Sequence, residues 1–302
     1  MCEKYCLQNA ISTKDSIKID EEKCDNCNIC TSVCPTGNLI PSYSVLEKQY
    51  NALSENNNIS IVCDKCELNG DFRVNCFASL PWEYIAYASL ENKISLYTKH
   101  CVKCEKQDLV KLFNQTLNKV SEFLGEELYK ERVILINEGE IPTKEYSRRD
   151  LLKLWGEQSK RIATTVVPID FDENDNPRIY RDLLIKKLKV INNEKELYNW
   201  PGIKVDTNKC WSCKTCEKLC PQNAISIEES EEGKGKFIHK FTRCTHCEIC
   251  KTVCLDKAIE LVNVSATVSE NKTESIVKYL KCSVCNDPIN DDDDGICVAC
   301  RK

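Results

Sequence analysis

The chain has 302 residues and a formal net charge of −5, and 23 of its residues are cysteine. Its length predicts two or three domains, and its mild negative charge argues against a general nucleic-acid surface, which would need clustered Lys and Arg. No apolar run has the length of a secretion signal or a membrane span, so we expect a cytoplasmic protein with reduced thiols. Many cysteines in a reducing compartment indicate metal ligation more often than disulfides.

A complete cysteine motif lies near the start of the chain. It has the spacing C-x2-C-x2-C-x3-C and consists of Cys24, Cys27, Cys30 and Cys34. This spacing is the ligand pattern of cubane iron-sulfur clusters. The first three thiolates of such a motif bind one cluster, and the fourth, often followed by Pro as here by Pro35, binds a neighbouring cluster.

The first residues of the chain repeat part of a later motif. Residues 2–11 match residues 216–225, which puts Cys2 and Cys6 where a motif has its third and fourth cysteines. Crossed ligation then predicts one [4Fe-4S] cluster held by Cys6, Cys24, Cys27 and Cys30.

The companion site would have only Cys2 and Cys34 and is two thiolates short. We favour a misplaced or truncated start, because both cysteines keep their register. The missing pair could instead come from elsewhere in the chain or from a partner, or the site has decayed. As a further alternative, the two cysteines are simply small buried side chains.

Residues 55–140 change to an alternation of strands and helices. The predicted elements are strands at 59–62, 94–97 and 133–136 and helices at 81–90 and 109–124. This βαβαβ order predicts a small parallel sheet, whose ligand sites lie beyond the carboxyl ends of the strands. The first two strands end on C-x2-C pairs, so the thiolates expected to close one metal site are Cys63, Cys66, Cys101 and Cys104. Cys76 is a fifth candidate.

Residues 141–200 carry no ligand pattern and predict a helical connector. A capped amphipathic helix is expected from Ser147 towards Trp155, and a second helix over 181–190. That second helix contains a cluster of basic residues, Lys186, Lys187 and Lys189. We expect these side chains to be solvated rather than to dock a partner.

Two further complete motifs lie in residues 201–265. Their cysteines are Cys210, Cys213, Cys216 and Cys220, then Cys244, Cys247, Cys250 and Cys254. Crossed ligation predicts two [4Fe-4S] clusters, one held by Cys210, Cys213, Cys216 and Cys254, the other by Cys244, Cys247, Cys250 and Cys220.

The tail, residues 266–302, contains two more C-x2-C pairs. They are Cys282, Cys285, Cys297 and Cys300. Two such pairs predict a zinc ribbon with a closed tetrahedral site, which contributes folding free energy to a segment too small for its own core. A mononuclear iron is the alternative metal.

The residues after the motifs add a family resemblance. Pro221, Ala224 and Ile225 follow the first complete motif of residues 203–262, and this region resembles a two-cluster bacterial-type ferredoxin. Residues 1–45 resemble a partial second copy. Leu255 replaces the usual Pro after the last motif, although the following Ala-Ile pair stays in register. The resemblance implies a small β-rich fold and one-electron transfer at low potential.

A second resemblance concerns residues 59–137. The strings VCDKC, RVNCFASLPWE and HCVKC are similar to the iron-sulfur domain of hydrogenase delta subunits, which relay electrons between a hydrogenase and a partner reductase. By position it implies a [2Fe-2S] or other cluster on Cys63, Cys66, Cys101 and Cys104, with Cys76 able to replace one of them. A structural zinc site would use the same sulfurs.

The expected fold class is therefore α+β multidomain. Two ferredoxin-like modules, the first incomplete, flank a small parallel βαβαβ domain, and a zinc ribbon follows. The expected cofactors are three [4Fe-4S] clusters, a fourth if the N-terminal site is completed, one more iron-sulfur cluster or zinc in the α/β domain, and one zinc in the tail.

The expected function is the relay of low-potential electrons between a donor and a separate redox enzyme. Neither a Gly-rich phosphate loop, nor a dinucleotide fingerprint, nor a radical-SAM triplet occurs, so we expect no catalytic activity of the chain itself. The alternative is an iron-sulfur redox sensor or regulatory protein with a zinc-ribbon interaction module. An enzyme acting through the five-cysteine centre is a weaker third hypothesis.

Overall fold

The computed structural model describes residues 2–55, 58–137, 178–191, 196–231, 233–290 and 294–301. The chain divides into two compact units, Met1–Asn193 and Glu194–Lys302. Within the described ranges, every helix is too short or too polar to span a bilayer. The helix expected between Ser147 and Trp155 lies outside the described residues.

The first unit begins with short elements around the first cysteines. They are α1 (Cys2–Tyr5), β1 (Ile11–Ser12), β2 (Lys18–Ile19), α2 (Ile29–Ser32) and α3 (Tyr43–Glu55). The first two strands form an antiparallel hairpin in which Ile11 faces Ile19. Helices and strands of two to four residues bury little apolar area, so their conformation depends on their surroundings.

A parallel sheet follows in the same unit. Its elements are β3 (Asn58–Cys63), β4 (Phe72–Val74), α4 (Trp82–Ser89), β5 (Lys93–Tyr97), α5 (Gln107–Leu124), α6 (Glu126–Arg132) and β6 (Val133–Ile136). The strand order is β4-β3-β5-β6, and all neighbours pair in parallel. The predicted strands at 59–62, 94–97 and 133–136 are confirmed, as are the two predicted helices between them.

Strand β4 was not predicted from the sequence. It pairs Phe72, Arg73 and Val74 with Ile61, Val62 and Cys63. Only residues 64–71 connect β3 to this parallel neighbour, which is shorter than the usual helical crossover. Cys76 follows β4 by two residues, so the extra strand determines where that thiol lies.

The core of this sheet consists of its inward-facing aliphatic residues and the helices above it. Ile59, Ile61, Ile94 and Leu96 are at most 1% exposed. Each such side chain contributes about 1.5–3 kcal/mol by leaving water. Helix α5 has the apolar stripe that its spacing predicts, formed by Leu109, Leu112, Phe113, Leu117, Val120, Phe123 and Leu124.

Helix α7 (Ile179–Val190) packs against α4, and buried charges fix the contact. Arg181 is 2% exposed, forms an ion pair with Glu83 at 3.2 Å, and places its guanidinium over the ring of Trp82. Lys187 is buried and pairs with Glu91. The expectation that Lys187 is solvated was therefore wrong, because sequence spacing cannot reveal a carboxylate almost a hundred residues away.

The second unit contains two antiparallel sheets and a terminal hairpin. Its elements are β7 (Tyr198–Val205), α8 (Thr215–Lys218), β8 (Ile225–Glu231), β9 (Lys234–His239), α9 (Ile249–Val253), β10 (Ile259–Ala266), β11 (Thr273–Lys278), β12 (Leu280–Lys281) and β13 (Pro288–Ile289). One sheet pairs β7 with β10 along their full lengths. The other has the order β11-β9-β8, so residues 273–278, assigned to the tail from sequence, extend the sheet next to the cysteine motifs.

We predict that Glu83→Ala destabilises the first unit by about 3 kcal/mol, because it leaves the Arg181 guanidinium buried without its counter-ion. The exposed pair between Lys130 and Glu126 provides the matched control, and Glu126→Ala should change the free energy of unfolding by about 0.5 kcal/mol or less. Anaerobic urea unfolding of the full chain measures both. Equal shifts in the two variants would contradict a structural role for the Arg181 pair.

Candidate metal centres

Each of the three complete cysteine motifs curls through two left-handed residues. They precede the second cysteine by one position and the third by two, with φ between 54° and 65°: Asn26 and Asn28, Ser212 and Lys214, His246 and Glu248. Left-handed backbone costs a residue other than Gly about 1–3 kcal/mol. Alternation of right-handed and left-handed residues turns successive N–H groups into one concavity, which suits an anion such as a thiolate-bound cluster. The backbone of these loops is therefore shaped for an anionic ligand.

A second turn follows the fourth cysteine of each motif. The residue three positions later has φ between 47° and 73° and donates its N–H to the carbonyl of the cysteine at 3.1–3.3 Å; these residues are Asn9, Gly37, Asn223 and Lys257. In three of the turns the next residue donates its N–H to the cysteine sulfur at 3.2–3.3 Å: Ala10 to Cys6, Ala224 to Cys220 and Ala258 to Cys254. Such bonds favour the thiolate form that binds metal.

In the second unit, thiols of the two motifs lie close to one another. Burial raises the pKa of the Cys216 thiol to about 12, and the nearby thiols that add to this shift are Cys210, Cys213, Cys250 and Cys254. Burial also raises the pKa of the Cys250 thiol to about 12, with added effects of Cys244, Cys247 and Cys220. The fourth cysteine of each motif thus lies near the third cysteine of the other. This is the arrangement that crossed ligation requires.

The loop at Cys244 is fixed to strand β7 by a side chain that the sequence analysis did not assign. Nε2 of His246 hydrogen-bonds to the backbone of Gly202, at 2.6 Å from its carbonyl oxygen and 2.9 Å from its nitrogen, and lies 3.1 Å from the carbonyl oxygen of Val262. A Cβ at position 202 would lie 2.5 Å from the side chain of Val264, so only Gly fits between the strand and its neighbour. His246 is one of the left-handed residues, and this bond holds its loop against the sheet.

The N-terminal module repeats this local geometry around one cavity of about 490 Å³. Four thiols line it, namely Cys6, Cys24, Cys27 and Cys30. The N–H of Asp20 donates to the carbonyl of Ala10 at 2.8 Å. In the second unit, the N–H of Lys240 donates in the same way to the carbonyl of Ala224 at 2.7 Å. The cavity therefore presents the four sulfurs of the predicted crossed set.

The other two N-terminal cysteines are not part of that lining. Cys2 is buried, and its thiol is one of the neighbours that raise the pKa of Cys30 after the main effect of burial. Although burial raises the pKa of the Cys34 thiol, hydrogen bonds from Thr36 and from the backbone of Leu39 hold it below its usual value. Cys2 thus lies near a candidate ligand thiol, and the surroundings of Cys34 favour its thiolate form.

Cysteines from three neighbouring strands meet at the carboxyl edge of the parallel sheet. Cys63 ends β3, Cys76 follows β4, and Cys101 and Cys104 follow β5. Burial raises the pKa of the Cys101 thiol to about 12, with added effects of Cys63, Cys76 and Cys104. Cys66 is buried beside Cys63, and its N–H donates to the Cys63 carbonyl at 2.9 Å. Cys76 therefore belongs to this group as closely as the paired cysteines do.

Arg73 of strand β4 holds the loop between Cys63 and Cys66. Its guanidinium donates to the carbonyls of Cys63, Cys66 and Leu68 at 2.9, 2.8 and 2.7 Å. This rigid fork ties three backbone carbonyls of the loop to strand β4. Sequence reasoning missed Arg73, because its partners are backbone carbonyls and its strand has only three residues.

The tail brings four thiols much closer together. The sulfurs of Cys282, Cys285, Cys297 and Cys300 all lie within 4.8 Å of one another, and the Cys285 and Cys297 sulfurs are 3.6 Å apart. A tetrahedral zinc with Zn–S bonds of about 2.3 Å needs sulfurs about 3.8 Å apart. Hydrogen bonds from the backbone N–H groups of Cys297 and Cys285 lower the pKa of the Cys282 thiol to about 6. The quartet fits a single tetrahedral ion.

Comparison with known proteins agrees with the cysteine geometry. Residues 209–258 match the 4Fe-4S dicluster domain family, and residues 16–40 match a 4Fe-4S binding domain family. Ferredoxin-1 of Rhodobacter capsulatus, represented by two curated sequences, is 38% identical to this chain over 47 residues. That alignment covers 16% of this chain and 65% of the ferredoxin.

Crossed ligation makes a prediction about iron content. Cys220→Ala and Cys247→Ala should each remove about four iron atoms per chain, and the double variant should lose no more, because both residues serve one [4Fe-4S] cluster. Cys220→Ala combined with Cys213→Ala should lose about eight, because two clusters are then broken. Iron analysis of anaerobically purified full-length variants measures this. A loss of about eight iron atoms when Cys220→Ala is combined with Cys247→Ala, and of about four when it is combined with Cys213→Ala, would contradict the crossed sets.

We also predict that Arg73→Lys weakens metal retention at the α/β centre by about 10- to 100-fold, because Lys keeps the charge but cannot bridge three carbonyls. Arg132 provides a matched control, since it donates to the carbonyl of Glu91 and lies next to the amino end of β6. Metal released to a chelator at graded concentration, with the spectra of the other centres recorded in parallel, measures the effect. Equal release from Arg73→Lys and Arg132→Lys would contradict the assignment.

Proposed function

Because the chain is a multi-cluster protein of the 4Fe-4S ferredoxin type, we propose that it carries low-potential electrons between a donor and a separate redox enzyme. The observation that carries the proposal is the double cysteine motif in residues 209–258, which matches a 4Fe-4S dicluster domain family and brings thiols of both motifs close together. Clusters bound there supply one-electron oxidation and reduction.

Three ligand sets of the [4Fe-4S] type form the electron carrier. They are Cys210, Cys213, Cys216 and Cys254; Cys244, Cys247, Cys250 and Cys220; and Cys6, Cys24, Cys27 and Cys30. Convergent N–H groups and the left-handed loop residues support each set. Cys2 and Cys34 are half of a fourth set, which needs two further thiolates.

The α/β centre is an iron-sulfur site in this proposal rather than a zinc site. Within the described part of the chain, the tail quartet is the group in which all sulfurs lie within 4.8 Å of one another. The α/β thiols converge without forming such a quartet, as do the thiols of the ferredoxin-type motifs. A cluster separates its thiolate ligands more widely than a single ion does, because iron and sulfide lie between them. This spacing favours a cluster on Cys63, Cys76, Cys101 and Cys104, with Cys66 beside them.

The tail is a structural zinc ribbon in this proposal. Its four sulfurs fit one ion with no open coordination position. The hairpin of β12 and β13 has only two residues in each strand, so the metal supplies what a core would supply elsewhere.

Reversible one-electron chemistry tests the function. Anaerobic protein titrated with a low-potential reductant should take up electrons and return them to an oxidant over repeated cycles, with unchanged iron content. Electron paramagnetic resonance should detect paramagnetic centres in the reduced form. Loss of iron on the first oxidation would contradict electron transfer and favour a sensor that changes state by cluster loss.

The tail makes a separate prediction. Cys285→Ser should lose about one zinc per chain and leave the iron content unchanged, because the tail quartet shares no ligand with the other sets. Zinc and iron analysis of the same sample measures this. Iron loss in this variant would contradict the separation of the two kinds of site.

A further inference from the structure

The N-terminal module touches the turn that carries Cys76, and one hydrogen bond crosses the contact. Helix α2 packs against the single 3-10 turn Phe77–Ser79. Oγ of Ser32 lies 2.6 Å from the carbonyl oxygen of Ala78, 46 positions away in sequence, and 2.9 Å from that of Ile29, so its hydroxyl has both as acceptors. Both partners belong to the same compact unit. A contact between two cysteine-bearing segments is thus fixed by a specific polar bond.

On the sheet side, Ala78 lies close in sequence to a candidate ligand. It follows Cys76 by two positions, within the turn Phe77–Ser79. The N–H of Ser79 donates to the Cys76 carbonyl at 2.9 Å, while the Ala78 carbonyl accepts from Ser32. A short stretch of ordered backbone thus connects the Cys76 residue to the neighbouring module.

On the other side, Ser32 lies two positions after Cys30 in the same short helix. Cys30 is one of the four thiols that line the N-terminal cavity. The path from Cys30 to Cys76 follows the backbone to Ser32, crosses its hydrogen bond to the Ala78 carbonyl, and follows the backbone from Ala78 back to Cys76.

The turn side of this path is tightly packed, and Ser32 itself is half-buried. Ile29 and Phe77 are each 1% exposed, and Ala78 is fully buried. The ring of Phe77 stacks on that of Phe113 in helix α5, with centroids 5.2 Å apart. Hydrogen bonds in such an apolar setting are strong, and the contact has little freedom to open.

We propose that the Ser32–Ala78 hydrogen bond is the coupling contact through which an electron passes between the N-terminal centre and the α/β centre. The inference rests on the proposed function, because both centres must be redox-active. In the step, the N-terminal site is oxidised by one electron; its ligands are Cys6, Cys24, Cys27 and Cys30. That electron reduces the site at Cys76 by one electron, and no proton is transferred and no bond is made or broken.

Three variants of the full chain test this proposal. Ser32→Ala removes the donor, Ser32→Thr keeps it, and Ser44→Ala removes an exposed hydroxyl whose partner is Ser42. A photoreduced deazaflavin supplies single electrons, and transient absorption follows their redistribution between centres. We expect the redistribution to be several-fold slower in Ser32→Ala and of wild-type rate in Ser32→Thr and Ser44→Ala. A wild-type rate in Ser32→Ala with all centres intact would overturn the coupling role.

If Ser32→Ala fails to load its metals, a second measurement on the wild-type protein tests the proposal. In the fully reduced wild-type protein, spin coupling should broaden the resonance of the α/β centre, and Cys24→Ala should restore a simple signal. An unbroadened wild-type signal would overturn the inference while leaving electron transfer by the other centres intact. Zinc in place of iron at the α/β centre, found by metal analysis, would overturn both the inference and that part of the proposed function.

Discussion

The bond between thiolate and metal is the interaction on which most of this structure depends. Around each cysteine motif, helices of four or five residues and loops with left-handed residues bury too little apolar area to be stable alone. Ligation supplies the missing free energy, because a metal site that exists only in the folded state contributes its binding free energy to folding.

The cysteines at the parallel sheet are positioned in a different way. Here an apolar core of ordinary kind fixes three strands, and their carboxyl ends bring cysteines from distant parts of the chain together. Arg73 then supplies the order that the Cys63–Cys66 loop lacks. The buried ion pair of Arg181 with Glu83 fixes helix α7 against α4. Rigid neighbours are an advantage for electron transfer, because they limit rearrangement of the ligands.

Cysteine spacing predicted the two regions that match 4Fe-4S families, since the chemistry of a cluster dictates the spacing directly. Strands β3, β5 and β6 were also predictable, because each is a short segment of mainly apolar residues. Strand β4 was not, since three residues such as Phe72-Arg73-Val74 give no periodic signal and the pairing is non-local. Arg73 and the Ser32–Ala78 bond escaped for the same reason: their partners are backbone carbonyls, which no side-chain pattern reveals. The burial of Lys187 likewise depends on a distant carboxylate.

The most direct test of the central claim is the content of iron, acid-labile sulfide and zinc per chain in anaerobically purified protein. Three [4Fe-4S] clusters require about 12 iron atoms, and a cluster at the α/β centre adds about two to four. The account predicts about 12 to 16 iron atoms, matching sulfide and about one zinc. About eight iron atoms with about two zinc would contradict it, because the N-terminal set would then hold no cluster and the α/β centre would be structural.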